Sequence, residues 1–205
     1  MKKKNRHEFV DNLIRNMSLR QKIGQMNQIM YDGDNFDEVT DFIKEYAPGS
    51  LILCGSAYSG NEEQTTVRAD LINKLQSTAI KSGAGIPLLM GRDVIHGHKV
   101  IFPNLLAMAA SFDTEAIKNA YNDIREEAYN DGIRWSFTPM LDLSRDPRWG
   151  RIVESPGEDP YLSGKIAKAV VEGFQTDSLA NDGSIAACCK HFVGYGASED
   201  RKSVV

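Results

Sequence analysis

The chain has 205 residues, 41% of them hydrophobic, with 24 basic residues against 28 acidic ones and a formal net charge of -4. This composition supplies a core for one domain or two, and charges of both signs mixed along the chain exclude a nucleic-acid footprint and a membrane-surface patch. The opening MKKKNRHEF is basic but runs into Val10-Asp11-Asn12, and no long apolar run follows, so the expectation is a cytoplasmic protein without membrane contact. Cys54, Cys188 and Cys189 lie in apolar runs and read as buried thiols rather than disulfides or a metal knuckle.

In chain order, Phe9, Val10, Leu13, Ile14 and Met17 recur at helical spacing, and Ser18 caps a second short helix, LRQKIGQM. A weak strand falls near Gln25 to Met30. Asp37 to Tyr46 places Val39, Phe42, Ile43 and Tyr46 on one helical face; Pro48-Gly49 stops that helix, and SLILC (Ser50 to Cys54) reads as a buried strand. Glu62 to Lys81 is helical, Ser82 to Gly85 breaks the pattern, and IPLLMG (Ile86 to Gly91) is the next strand. Asp113 or Thr114 caps a helix that Gly132 closes, before a strand over Ile133 to Leu141. A helix over Asp159 to Gln175 and a strand over Ser184 to Phe192 complete the series.

Nearly continuous apolar strands alternating with helices predict an α/β fold of parallel βα units. A polar cluster follows each strand: Gly55-Ser56, Arg92-Asp93, Asp142 to Arg151, and Lys190-His191. That recurrence fits a (β/α)8 barrel, whose loops after the strands share one face, better than a doubly wound sheet, for which a G-x-G-x-x-G turn is missing. The strands amount to about half of such a barrel.

Three clusters carry candidate chemistry. Phe137 to Ser155, FTPMLDLSRDPRWGRIVES, gathers Arg145, Arg148, Arg151, Asp142, Asp146, Glu154 and Trp149 behind an apolar run. Guanidinium forks, carboxylate acceptors and a flat indole face together suit a polyhydroxylated ring; a solvated loop with its own ion pairs is the plainer alternative. Asp93, just past a strand, is either paired with Arg92 or Lys99 or aimed into a cleft. His96 and His98 raise a metal site, against which stand the lack of an H-E-x-x-H and the intervening Gly97. Lys190-His191 reads either as ligand-holding donors or as a lysine reaching to solvent beside a histidine bonded to a backbone carbonyl.

GRDVIHGHKVIFP, FTPMLDLSRDPRWGRIVESPGEDP and CCKHFVGYGASE, in this order, resemble the N-terminal catalytic domain of glycoside hydrolase family 3, the β-glucosidases and related exo-acting glycosidases. The likeness runs from about Leu19 to Glu199. It implies that Asp93 binds hydroxyls of the non-reducing terminal sugar, that Arg151 contacts the same ring, and that Lys190 and His191 join them. Lys99 stands where many relatives carry arginine, and is expected at the substrate without the arginine's fork. The resemblance implies a retaining β-glucosidase-type hydrolase acting on a small β-glucoside or oligosaccharide, with no cofactor, no metal and no nucleic-acid partner. β-Xylosidase and β-N-acetylglucosaminidase are alternatives within the family, although Val193 and Tyr195 depart from the KHFPGHG pattern of the latter. A metal-dependent barrel hydrolase and a non-catalytic carbohydrate-binding half-domain are alternatives outside it.

The family's nucleophile and acid/base are expected beyond these residues, so the chain alone is expected to be inactive and none of Asp142, Asp146, Glu154 and Glu158 is assigned to catalysis. The expected organisation is a helical lead-in over 1–18, barrel sequence over 19–199, and a tail over 200–205. That tail, DRKSVV, matches a translated sequencing adapter and is read as non-native.

Overall fold

The computed structural model describes residues 3–54, 62–82 and 84–197. The chain divides into two compact units, Met1–Met90 and Gly91–Val205.

In the first unit, helix α1 (Lys3–Asn16) leads to α2 (Leu19–Gln25). Ser18 accepts from the Gln21 N–H while the Gln21 side chain accepts from the Ser18 N–H, a reciprocal capping box that satisfies two helix-end donors. Strand β1 (Gln28–Tyr31) pairs in parallel with β2 (Ser50–Leu53), Gln28 opposite Ser50, and α3 (Phe36–Tyr46) is the crossover between them. Val39 and Ile43 of α3 are buried, whereas Phe42 stays 38% exposed. Ala47, at φ 48°, ends α3 in the left-handed region. Gly24 of α2 approaches the Tyr46 carbonyl oxygen so closely that a Cβ there would overlap it. Helix α4 (Glu62–Lys81) leads back to β3 (Leu89–Arg92). Gln76 fixes this return: its amide donates to the Leu88 carbonyl and accepts from the Leu88 N–H, both at 2.8 Å. The Leu89 N–H then donates to the Gly49 carbonyl at 3.0 Å.

In the second unit the last two residues of β3 pair in parallel with β4 (Trp135–Ser136), and β4 pairs in parallel with β5 (Ala186–Ala187). Between them lie α5 (Leu105–Ala109), α6 (Thr114–Asn130) and α7 (Pro160–Gln175). Asp113 caps α6 and Asp159 caps α7, with Pro160 at the first helical position where no N–H is needed. Gly173 lets α7 lie against α6, since a Cβ would stand 2.7 Å from the Tyr121 Cβ. Tyr121 is fully buried, meets Phe174 edge-on at 5.3 Å, and its hydroxyl donates to the Ile95 carbonyl at 2.6 Å. That bond holds the loop just after β3.

Among the described residues the strand pairings β1–β2, β3–β4 and β4–β5 are parallel, and helices lie between successive strands. The fold class is α/β, in the order of a partial (β/α)8 barrel. Two expected strands shrink to two residues each, Trp135–Ser136 and Ala186–Ala187. Ile133 to Leu141 keeps only Trp135–Ser136 as regular strand, because Pro139 has no N–H to donate. Pairing continues past it irregularly: the Cys188 N–H donates to the Thr138 carbonyl, the Lys190 N–H to the Pro139 carbonyl and the Leu141 N–H to the Lys190 carbonyl. Helix α5 was not expected; Asn104, which accepts from the Ala107 N–H ahead of an apolar run, is its signal. The cysteines form no disulfide, but Cys54 and Cys188 are half-buried and Cys189 is exposed, not buried as their apolar neighbours suggested. Gly55-Ser56 and the 200–205 tail fall outside the described residues. Among the described residues no helix is long and apolar enough to cross a membrane.

Candidate functional site

In the second unit, the segments that leave the strand ends bring four of the five expected residues together in two pairs. Asp93 follows β3, and Lys190 follows β5 at the point where its backbone still bonds to Pro139 and Leu141. Lys190 Nζ lies 2.6 Å from Asp93 Oδ1. The next residue, His191, places its Nε2 3.1 Å from Arg151 Nη1. One dipeptide therefore ties two separate loops. The peptide bonds Lys190–His191 and Phe192–Val193 are cis.

Each member of the second pair has a carboxylate behind it. Asp142 follows the β4 segment, and its buried Oδ2 accepts from both the His191 N–H, at 3.1 Å, and the ring Nδ1, at 2.8 Å. Arg151 precedes a short 3-10 helix, Ile152–Glu154, which presents Glu154 to its guanidinium in a two-pronged bond: Nε to Oε1 at 2.8 Å and Nη2 to Oε2 at 2.6 Å. Those bonds hold the Glu154 carboxyl below its ordinary value and raise Arg151 further above its own. Ser155 braces the loop by donating to the Asp142 carbonyl at 2.7 Å. Tyr195 closes the far side, edge-on to His191 at 5.1 Å, with the Arg151 guanidinium 5.5 Å from its ring centre.

Two expectations change. Trp149 is not a flat face for a ligand: it is fully buried, edge-on to Tyr195 at 5.4 Å, and its Nε1 has no partner among the described residues. Lys99 lies outside the pairs. Its ammonium bonds to Asp131 Oδ1 at 2.8 Å and its N–H to Glu127 Oε2 at 3.0 Å, which ties its loop to the end of α6. The suspected metal ligands are also engaged. His96 Nδ1 bonds the Phe102 carbonyl, while His98 bonds Arg92 through Nδ1 at 2.9 Å and Asp131 through Nε2 at 2.8 Å. Both ring nitrogens of His98 are thus occupied. Burial lowers the His98 pKa below its ordinary value, against the opposing pull of Asp131. Asp146 bonds Arg148, whose side chain is exposed, and is held at about 2 by that contact. A cleft of about 700 Å³ opens beside Lys190 and His191, walled also by Asp142, Arg145 and Gly196, with Phe192 and Val193 bare at its edge. Asp93 and Arg151 are not among its walls.

The arrangement offers an ammonium, a guanidinium, an imidazole and a carboxylate at fixed positions, each already bonded to another group. Sequence reasoning placed Asp142 and Glu154 in the right loop without a role. Their signal is position: Asp142 is the first acid after an apolar strand, and Glu154 stands three residues from Arg151.

The sequence model of the glycosyl hydrolase family 3 N-terminal domain matches residues 18–204. The chain belongs to this family. Among curated relatives, the periplasmic beta-glucosidase of Salmonella typhimurium is 34% identical over 198 residues, covering 96% of this chain and 24% of that protein. The lysosomal beta glucosidase of Dictyostelium discoideum is 34% identical over 216 residues, covering 93% and 26%. Among solved structures, the Listeria innocua beta-glucosidase in complex with glucose superposes with a TM-score of 0.79 at 37% identity, covering 94% of this chain and 27% of that one. The chain thus spans about a quarter of the length of these relatives.

Proposed function

We propose that Asp93, Lys190, Arg151 and His191 form the wall that holds the non-reducing terminal sugar in a retaining exo-β-glucosidase. The observation that carries this reading is the tie between adjacent residues and two loops: Lys190 to Asp93 at 2.6 Å and His191 to Arg151 at 3.1 Å. A sugar ring presents hydroxyls around its rim, each a donor and an acceptor. Asp93 supplies a half-exposed acceptor, Lys190 supplies an ammonium donor, and Arg151 supplies a guanidinium that keeps its protons at neutral pH.

Such groups favour the reaction only if they hold the ring better as it flattens towards an oxocarbenium ion than in its relaxed chair. Their pre-existing bonds serve that end, because donors already fixed by Asp93 and Glu154 need no reorganisation when charge develops. Lys99 enters as a brace of the loop that carries Asp93. The nucleophile and the acid/base, two carboxyl groups about 5 Å apart in a retaining enzyme, are not assigned to residues of this chain, and the chain alone is expected to be inactive.

The test is a chimera in which this chain replaces the matching quarter of the Salmonella relative. It should hydrolyse 4-nitrophenyl β-D-glucoside, and Asp93→Ala should lower kcat/KM by about 100-fold or more. A folded chimera whose rate is indifferent to Asp93→Ala and to Lys190→Ala overturns the reading.

A further inference from the structure

The two nitrogens of His191 face unlike partners. Nδ1 is 2.8 Å from Asp142 Oδ2, and Nε2 is 3.1 Å from Arg151 Nη1. A guanidinium has only protons to offer, so Nε2 must present its lone pair, and the ring proton must sit on Nδ1, directed at the carboxylate. The same carboxylate oxygen also accepts the His191 backbone N–H at 3.1 Å, so Asp142 fixes the ring and the chain beneath it together. Its side chain is 2% exposed, which leaves it little room to swing to another partner.

We infer that Asp142 is a positioning residue that locks His191 as the Nδ1–H tautomer, making the outward nitrogen of His191 the acceptor that holds the Arg151 guanidinium within the site. The consequence for the ligand rests on the sugar-wall reading: Arg151 occupies the single lone pair of Nε2 and is held by it, which fixes the direction in which its remaining N–H groups, with the Lys190 ammonium, donate to sugar hydroxyl oxygens. Asp142 therefore acts on the sugar wall through His191 and Arg151, although it need not touch the ligand.

His98 supplies a control in the same unit. There Nδ1 faces a guanidinium, Arg92 at 2.9 Å, and Nε2 faces a carboxylate, Asp131 at 2.8 Å. By the same reasoning His98 carries its proton on Nε2, the reverse of His191.

The test is long-range 1H–15N correlation on the 205-residue chain labelled at its 4 histidines, with signals assigned through His191→Gln and His98→Gln. The expected pattern is a protonated Nδ1 and bare Nε2 at His191, and the opposite at His98. Asp142→Ala should release the His191 pattern and leave that of His98 unchanged. Asp142→Asn retains an oxygen that can accept both bonds and should preserve it, a rescue that a purely space-filling role would not predict. A proton on Nε2 of His191 in the wild-type chain, or a His191 pattern indifferent to Asp142→Ala while His98 keeps its own, overturns the inference. If Asp142→Ala unfolds the chain, the His98 signals report it, and the wild-type and Asp142→Asn spectra still decide. These spectra do not depend on turnover, so they fail separately from the chimera.

Discussion

Lys190 and Asp93 are unequal partners: the lysine side chain is 14% exposed and the aspartate 52%, across a contact of 2.6 Å. Removing either breaks the same bond, but the group left behind differs. Lys190→Met leaves a carboxylate that water can reach, at a cost under about 1 kcal/mol. Asp93→Ala leaves a largely covered ammonium without its anion, at a cost of about 2 kcal/mol. Urea unfolding of the two variants measures the difference, and equal losses would show that the covering of Lys190 is immaterial.

Glu154 and Asp146 should separate under salt. Both carboxyls are held below their ordinary values by arginine, so each contributes stability above the unfolded carboxylate range that is lost as pH falls through the folded value. Arg151 is 19% exposed and Arg148 is 67% exposed. The stability lost in Asp146→Asn at neutral pH should fade in about 1 M salt, whereas that lost in Glu154→Gln should persist. Both differences should shrink towards pH 3. The measurement is the urea midpoint on a grid of pH and sodium chloride.

Replacing Gly24 with alanine sets two effects against each other. Helix propensity would gain about 1 kcal/mol. The new methyl, however, would overlap the Tyr46 backbone oxygen, which cannot rotate aside as a side chain would, so α2 and α3 must separate. A net loss of about 2 kcal/mol is expected, read as a lower Tm; a raised Tm would contradict the close approach.

His98 links stability to pH through a different group. Its folded pKa lies below the ordinary histidine value because burial disfavours its charged form. The stability that it contributes is present above about pH 6.5 and is lost as pH falls through the folded value. Unfolding free energy should therefore decline from pH 7.5 to 5.5 in the wild-type chain and decline less in His98→Gln.

The elements were legible where local chemistry decides them. Ser18, Asp113 and Asp159 marked helix starts, and Gly132 marked an end, because a cap acts within a few residues of its target. The strands over Ile133 to Leu141 and Ser184 to Phe192 read too long, since apolar character reports burial and not whether a ladder bond can form opposite Pro139. At the site, Asp93 and the Lys190-His191 pair stood out as polar groups at strand ends, whereas Arg151 was singled out from the three arginines of its loop only by the resemblance to family 3. Their pairing was not legible, because Lys190 meets a residue 97 positions away and His191 meets one 40 away. Trp149 misled for a related reason: an indole between arginines has the composition of a binding face, and only packing shows that it faces inward.

Lys190 and His191 are neighbours in sequence but answer to different loops. An insertion or deletion anywhere between β5 and this dipeptide would misalign both ties in one event, whereas substitutions can tune each separately. Substitution thus alters the strength of these contacts but not their spacing, which makes the length of this short segment, more than the identity of its other residues, the dimension that sets the site.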